Sequence, residues 1–94
     1  MASGALLINW LDAGEDQPTR IGIITTKRLG NAVVRNRARR LIREAFRHLR
    51  LEFTRNVELV VVARPSIVRK DADRVARDLQ RFALKVGLIP ESMP

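Results

Sequence analysis

The sequence predicts an α+β fold, a small mixed β-sheet with helices packed on it. Three observations carry this prediction. Three short runs rich in apolar and β-branched residues have strand length, two longer segments repeat apolar residues at helical period, and the order along the chain is β-β-α-β-α. The 94 residues suit one domain, 1–94, with a modest core.

The first run, "ALLINWL" over residues 5–11, reads as a strand. The turn formers and acids of "DAGEDQPT" read as a hairpin loop. "RIGIITT", residues 20–26, is the second strand, with Gly22 suited to a bulge or close packing. After "KRLG" the period changes. At about 100° per residue, Val34, Ala38, Leu41, Ile42, Ala45 and Leu49 share one face, with Phe46 at its margin. Asn36, Arg39, Arg40, Arg43, Arg47 and Arg50 group opposite. This helix is expected over 31–50, with Asn31 as N-cap. "VELVVVARP" supplies a strand over 57–64 whose unbroken apolar run suits a central position, and Pro65 ends it. A second helix is expected over 71–86, with Asp71 as N-cap, Val75, Leu79, Phe82 and Val86 as its buried stripe, and Gly87 as its stop. Its charges alternate in sign, so its outer face reads as solvated. "LIPESMP" reads as a tail.

Several function classes have no support. The chain has no cysteine, which excludes disulfides and thiolate metal sites and fits a cytoplasmic setting. Its one histidine, His48, excludes a multi-histidine site and leaves a serine nucleophile without a partnered base. No apolar run approaches the ~18 residues of a membrane span. Asp12, Glu15 and Asp16 fall in one loop and Asp71 and Asp73 at a helix start, where solvation and capping explain them. Gly30 belongs to no phosphate-loop pattern and serves the strand-to-helix turn. No catalytic residue and no metal ligand is therefore expected.

Charge is the outlier. The formal net charge is +8, and the stretch from Lys27 to Arg50, nine basic residues against Glu44 alone, accounts for all of it. Of the 18 basic residues all but Lys27, Lys70 and Lys85 are arginine, whose planar fork matches phosphate. Asn31 and Asn36 add amides able to bond sugars or bases. This is the footprint of a polyanion-binding surface. The other readings are a solvated helix face, an anionic membrane surface and a calmodulin-type target; the last two conflict with an apolar face needed by the sheet.

"KRLGNAVVRNRARRLIREAF", with Arg35-Asn36-Arg37 at its centre, and "VELVVVARP" after it closely resemble the bacterial ribonuclease P protein subunit, over about residues 6–88. The resemblance implies that family's fold, related to a ribosomal-protein domain, with a left-handed β-α-β crossover against the general preference. It also implies a subunit of a ribonucleoprotein endoribonuclease that removes the 5′ leader from precursor tRNA. The partner RNA would carry catalysis and Mg²⁺, with no cofactor held by the protein alone. The protein would grip that RNA through the arginine-rich helix and contact the leader through a separate cleft. Lys27 and Arg28 match a basic pair before the helix, and Asn31, Arg35, Asn36, Arg37, Arg39, Arg40 and Arg43 match the helix itself; Arg47 joins them on helical position. Family members usually begin with a further helix bearing basic and aromatic residues and a first strand. Here Met1 stands almost directly before what looks like the second strand, so one wall of the leader cleft is expected to be missing and residues 5–11 to form a bare sheet edge. Trp10, Phe46, Phe53 and Phe82 are the only aromatics, and they form no evident sheet-face cluster. The alternative is a general structured-RNA-binding module, of ribosomal or antitermination type, without processing activity.

Overall fold

The computed structural model describes residues 1–91. Its strands are β1 (Ala2–Ser3), β2 (Leu6–Asp12), β3 (Arg20–Ile24) and β4 (Val57–Ala63); its helices are α1 (Ala32–Leu49) and α2 (Ala72–Lys85). Short 3₁₀ turns cover Lys27–Leu29, Arg50–Glu52 and Pro65–Arg69. The expected strands and helices are present with ends shifted by a residue or two, and the second strand stops at Ile24, before Thr25 and Thr26.

The strands form one mixed sheet in the order β1-β2-β4-β3. β4 takes a central place, in keeping with its apolar run. It pairs antiparallel with β2, from Leu6↔Ala63 to Asp12↔Val57, and parallel with β3, from Arg20↔Glu58 to Ile24↔Val62. The expected hairpin is therefore corrected: β2 and β3 run in opposite directions, but β4 lies between them. The connecting loop spans two strand spacings, ~10 Å, and is tied to the start of β4. Asn56 donates its side-chain amide to the Gly14 and Glu15 carbonyls at 3.3 and 3.2 Å, and Val57 donates its N–H to Thr19 Oγ1 at 3.2 Å. Gly22 sits in unbroken register, and a side chain there would meet nothing nearer than the Leu59 carbonyl at 3.9 Å, so neither bulge nor close packing explains it.

The expectation of a bare edge at residues 5–11 is corrected for its first half, while residues 9–11 keep an unpaired side among the described residues. β1 turns at Gly4 and pairs with the first part of β2, Ala2↔Leu7 and Ser3↔Leu6, and the Met1 carbonyl accepts from Ile8 N–H at 2.8 Å.

Both helices lie on one face of the sheet. Leu6, Ile8, Val57, Leu59, Val61 and Ala63 point into the core against Ala38, Ile42, Ala45, Phe46 and Leu49 of α1 and Val75, Leu79, Phe82 and Ala83 of α2. Asn31 and Asp71 cap the helices as expected, accepting from Val34 N–H at 3.1 Å and Arg74 N–H at 3.0 Å. The expected tail packs instead: Leu88 and Ile89 are buried, and the Leu88 carbonyl accepts from Thr54 N–H at 2.9 Å. Residues 92–94 of that segment lie outside the described residues. The opposite sheet face is open, with Leu7, Leu11, Ile24 and Val60 exposed on it.

Candidate nucleic-acid interface

α1 begins where the chain leaves β3 through Lys27–Leu29 and Gly30. Gly30 has φ +138°, and a Cβ there would press on Val34 at 3.3 Å, so this turn requires glycine. Leu29 is buried and anchors the turn, leaving Lys27 and Arg28 exposed beside the helix start.

Along α1 the basic side chains separate into two groups. Asn36, Arg40, Arg43 and Arg47, at successive four- and three-residue steps, stand exposed on one ridge that is ~16 Å long at 1.5 Å per residue. Arg47 pairs with Glu44, whose carboxylate also lies 3.7 Å from His48 Nε2. Arg40 and Arg43 have no acidic partner among the described residues.

The other basic residues are half-buried and held. Arg35 Nη1 donates to the Gly30 carbonyl at 3.1 Å, Arg37 Nη2 to the Lys70 carbonyl at 2.8 Å, and Arg39 Nε to Thr25 Oγ1 at 3.1 Å. Helical period alone puts Arg39 on the open face; in the structure it leans over the end of β3. Arg35, Asn36 and Arg37 thus point three ways, because neighbours on a helix are about 100° apart. Asn31 is exposed, with its side-chain oxygen engaged in the cap. The anchors Thr25 and the Lys70 carbonyl carry no sequence signal that would reveal them.

Both groups point to one electrostatic design. The first turn of α1 has no acid, although the positive end of a helix dipole favours one. Arg35, the one arginine in that turn, adds to the dipole's positive end and leaves the potential uncompensated.

The aromatics form no platform on the open sheet face among the described residues. Phe46 and Phe82 are core residues, Phe53 packs on Phe46 with ring centroids 6.2 Å apart, and Arg55 lies over Trp10 at 5.4 Å. No helix of the described residues is long and apolar enough to cross a membrane.

The fold and ridge define a class: a small mixed-sheet α+β protein presenting an arginine-rich helix. Residues 1–87 match the family model Ribonuclease P, and the chain belongs to the ribonuclease P protein family. It is 39% identical over 87 residues to the ribonuclease P protein component of Gluconacetobacter diazotrophicus, covering 92% of this chain and 75% of that protein. It is likewise 39% identical over 82 residues to the component from Thermus thermophilus, covering 87% of this chain but 47% of that longer protein. The fold is similar to the Staphylococcus aureus RNase P protein (TM-score 0.79, 22% identity, 96% of this chain and 82% of that one). It is also similar to the Thermotoga maritima RNase P protein (TM-score 0.74, 21% identity, 87% and 77%).

Proposed function

We propose that this chain acts as the protein subunit of ribonuclease P, binding the catalytic RNA through α1 and assisting removal of the 5′ leader from precursor tRNA. The observation that carries this reading is the exposed ridge of Asn36, Arg40, Arg43 and Arg47, with Arg40 and Arg43 unneutralised. Lys27 and Arg28 extend it at the helix start. Arg35, Arg37 and Arg39 are oriented by the protein, and their remaining N–H groups are available to phosphate. Folded RNA is met mainly through backbone and shape, which suits a dense guanidinium surface. The chemistry falls to the RNA and its Mg²⁺; the protein lowers phosphate repulsion and helps hold the substrate. The open sheet face offers aliphatic side chains in place of stacking rings, so leader contact in this chain would rest on packing and backbone.

Reconstitution tests the reading. Added to ribonuclease P RNA at low Mg²⁺, the protein should stimulate precursor-tRNA cleavage. Arg40→Glu with Arg43→Glu should weaken RNA affinity by roughly 10-fold or more while leaving the fold intact, since both side chains are exposed. Binding without stimulation would leave a general RNA-binding module; unchanged affinity in the variant would place the RNA elsewhere.

A further inference from the structure

α2 carries a second line of positive charge. At 100° per residue, Arg74, Arg81 and Lys85 fall within about 40° of one another around the helix, and Arg77 lies about 40° beyond Arg81. All four are exposed. In the sequence they alternate with acids and read as a neutral, solvated face. The structure ties up two of those three acids. Asp71 is spent on the cap. Asp73 is exposed about 40° beyond Arg77 around the helix and borders the row there, although it forms no ion pair among the described residues. Asp78 is 3% exposed, accepts from Ala5 N–H at 3.0 Å and pairs with Lys70 Nζ at 3.1 Å; Arg81 stands further off, at 3.8 Å.

A fifth cation is linked to α2 through Gly4. Arg64, exposed at the end of β4, donates to the Gly4 carbonyl at 3.3 Å, and Gly4 packs directly on Asp78. The row also faces away from α1. The seam between the helices is lined by Ala45, His48 and Leu49 of α1 and by Ala76 and Gln80 of α2, so the basic flank of α2 lies on the side nearer β1. The ridge of α1 and the row of α2 diverge from this seam, and one straight strand segment cannot lie along both.

We propose that the flank of α2, Arg74, Arg77, Arg81 and Lys85 with Arg64, is a second RNA-phosphate contact surface that takes a strand segment different from the one on α1. The proposal rests on the RNA-binding reading above. Four of its five cations are arginine, the residue suited to phosphate forks. α2 exposes no large apolar residue that would insert into a membrane.

The test measures binding to ribonuclease P RNA across a salt series, with backbone footprinting, for three proteins: the unaltered chain, Arg40→Glu/Arg43→Glu, and Arg74→Gln/Arg77→Gln/Arg81→Gln. The glutamine variant should bind roughly 10-fold more weakly, with a salt slope shallower by about 2, at ~0.7–0.9 per lost phosphate contact. It should lose backbone protections distinct from those lost by the α1 variant. Unaltered affinity and slope, or loss of the same protections, overturns the second surface and leaves the function standing. Failure of the unaltered chain to bind overturns both. A variant with lysine at the same three positions should keep the slope; if it loses it equally, packing and not charge is responsible, and the surface assignment fails.

Discussion

Replacing Gly4 with alanine isolates the contact that joins the start of the chain to α2. Gly4 has φ +55°, a left-handed conformation that costs an L-residue about 1 kcal/mol. Lack of space costs more. A Cβ at Gly4 would lie 2.2 Å from Asp78 Oδ1 and 2.3 Å from both Cγ and Oδ2. The carboxylate cannot swing into solvent, because it is buried, bonded to Ala5 N–H and paired with Lys70. Moving it breaks at least one charge-assisted hydrogen bond, about 1.5–3 kcal/mol, and strains the neighbouring bond from Ser3 Oγ to the Asp78 carbonyl, 2.6 Å long. Together these give a loss of about 3–5 kcal/mol. Gly14→Ala is the control: φ there is +89° but no atom lies within 4 Å, so only the conformational cost of about 1 kcal/mol applies. Urea unfolding followed by circular dichroism should therefore separate the two variants by at least ~2 kcal/mol, and melting by roughly 4–8 °C for each kcal/mol. Equal losses would refute the claim that Gly4 is required by contact with Asp78.

Other perturbations test the interface helix. Ile42→Ala, at a fully buried position of α1, should cost about 2–5 kcal/mol in the same unfolding assay, and a silent substitution would place the helix in a different rotation. Asn31→Ala should cost about 1 kcal/mol by leaving the Val34 N–H uncapped; hydrogen exchange at the first turn of α1 should accelerate, and unchanged protection would deny the cap its role.

Much of the fold is legible because single segments announce themselves. The apolar run of β4 marks the strand that everything else flanks, and the spacing of Ala38, Ile42, Ala45 and Leu49 sets the rotation of α1 without tertiary information. What escapes is pairwise. Strand propensity marks residues 5–11 and 20–26 as strands, and the hairpin reading even has them run in opposite directions, but neither shows that β4 inserts between them. Asp78 looks like one more surface charge in an alternating pattern; its burial depends on a turn 74 residues earlier at which Gly4 leaves room for it. The arginine surface is legible as a face, since helical period groups Asn36, Arg40, Arg43 and Arg47. That Arg37 and Arg39 are held by the Lys70 carbonyl and Thr25 depends on neighbours that sequence spacing does not bring together.

The two helices differ electrostatically at their starts, and the contrast bears on what α1 is for. α2 places Asp71 and Asp73 at its start and Lys85 in its last turn, the arrangement that the helix dipole favours by about 0.3–1 kcal/mol per charge. α1 has no acid in its first turn and carries Arg35 there, which opposes the dipole, while Arg47 and His48 in its last turn agree with it. Arg40, Arg43 and Arg47 also stand at like-charge spacings that each cost a few tenths of a kcal/mol, roughly. Packing offsets these penalties, since burying a side chain such as Ile42 or Phe46 contributes about 1.5–3 kcal/mol. A helix shaped by stability alone would place acids where α1 has none. A polyanion across the ridge would screen the arginines from one another, and one reaching Lys27 and Arg28 beside the helix start would also supply negative charge near the positive end of the dipole. Binding would then stabilise the folded chain in proportion to ligand occupancy, and the side chains that weaken the isolated helix are the ones through which that stabilisation would act.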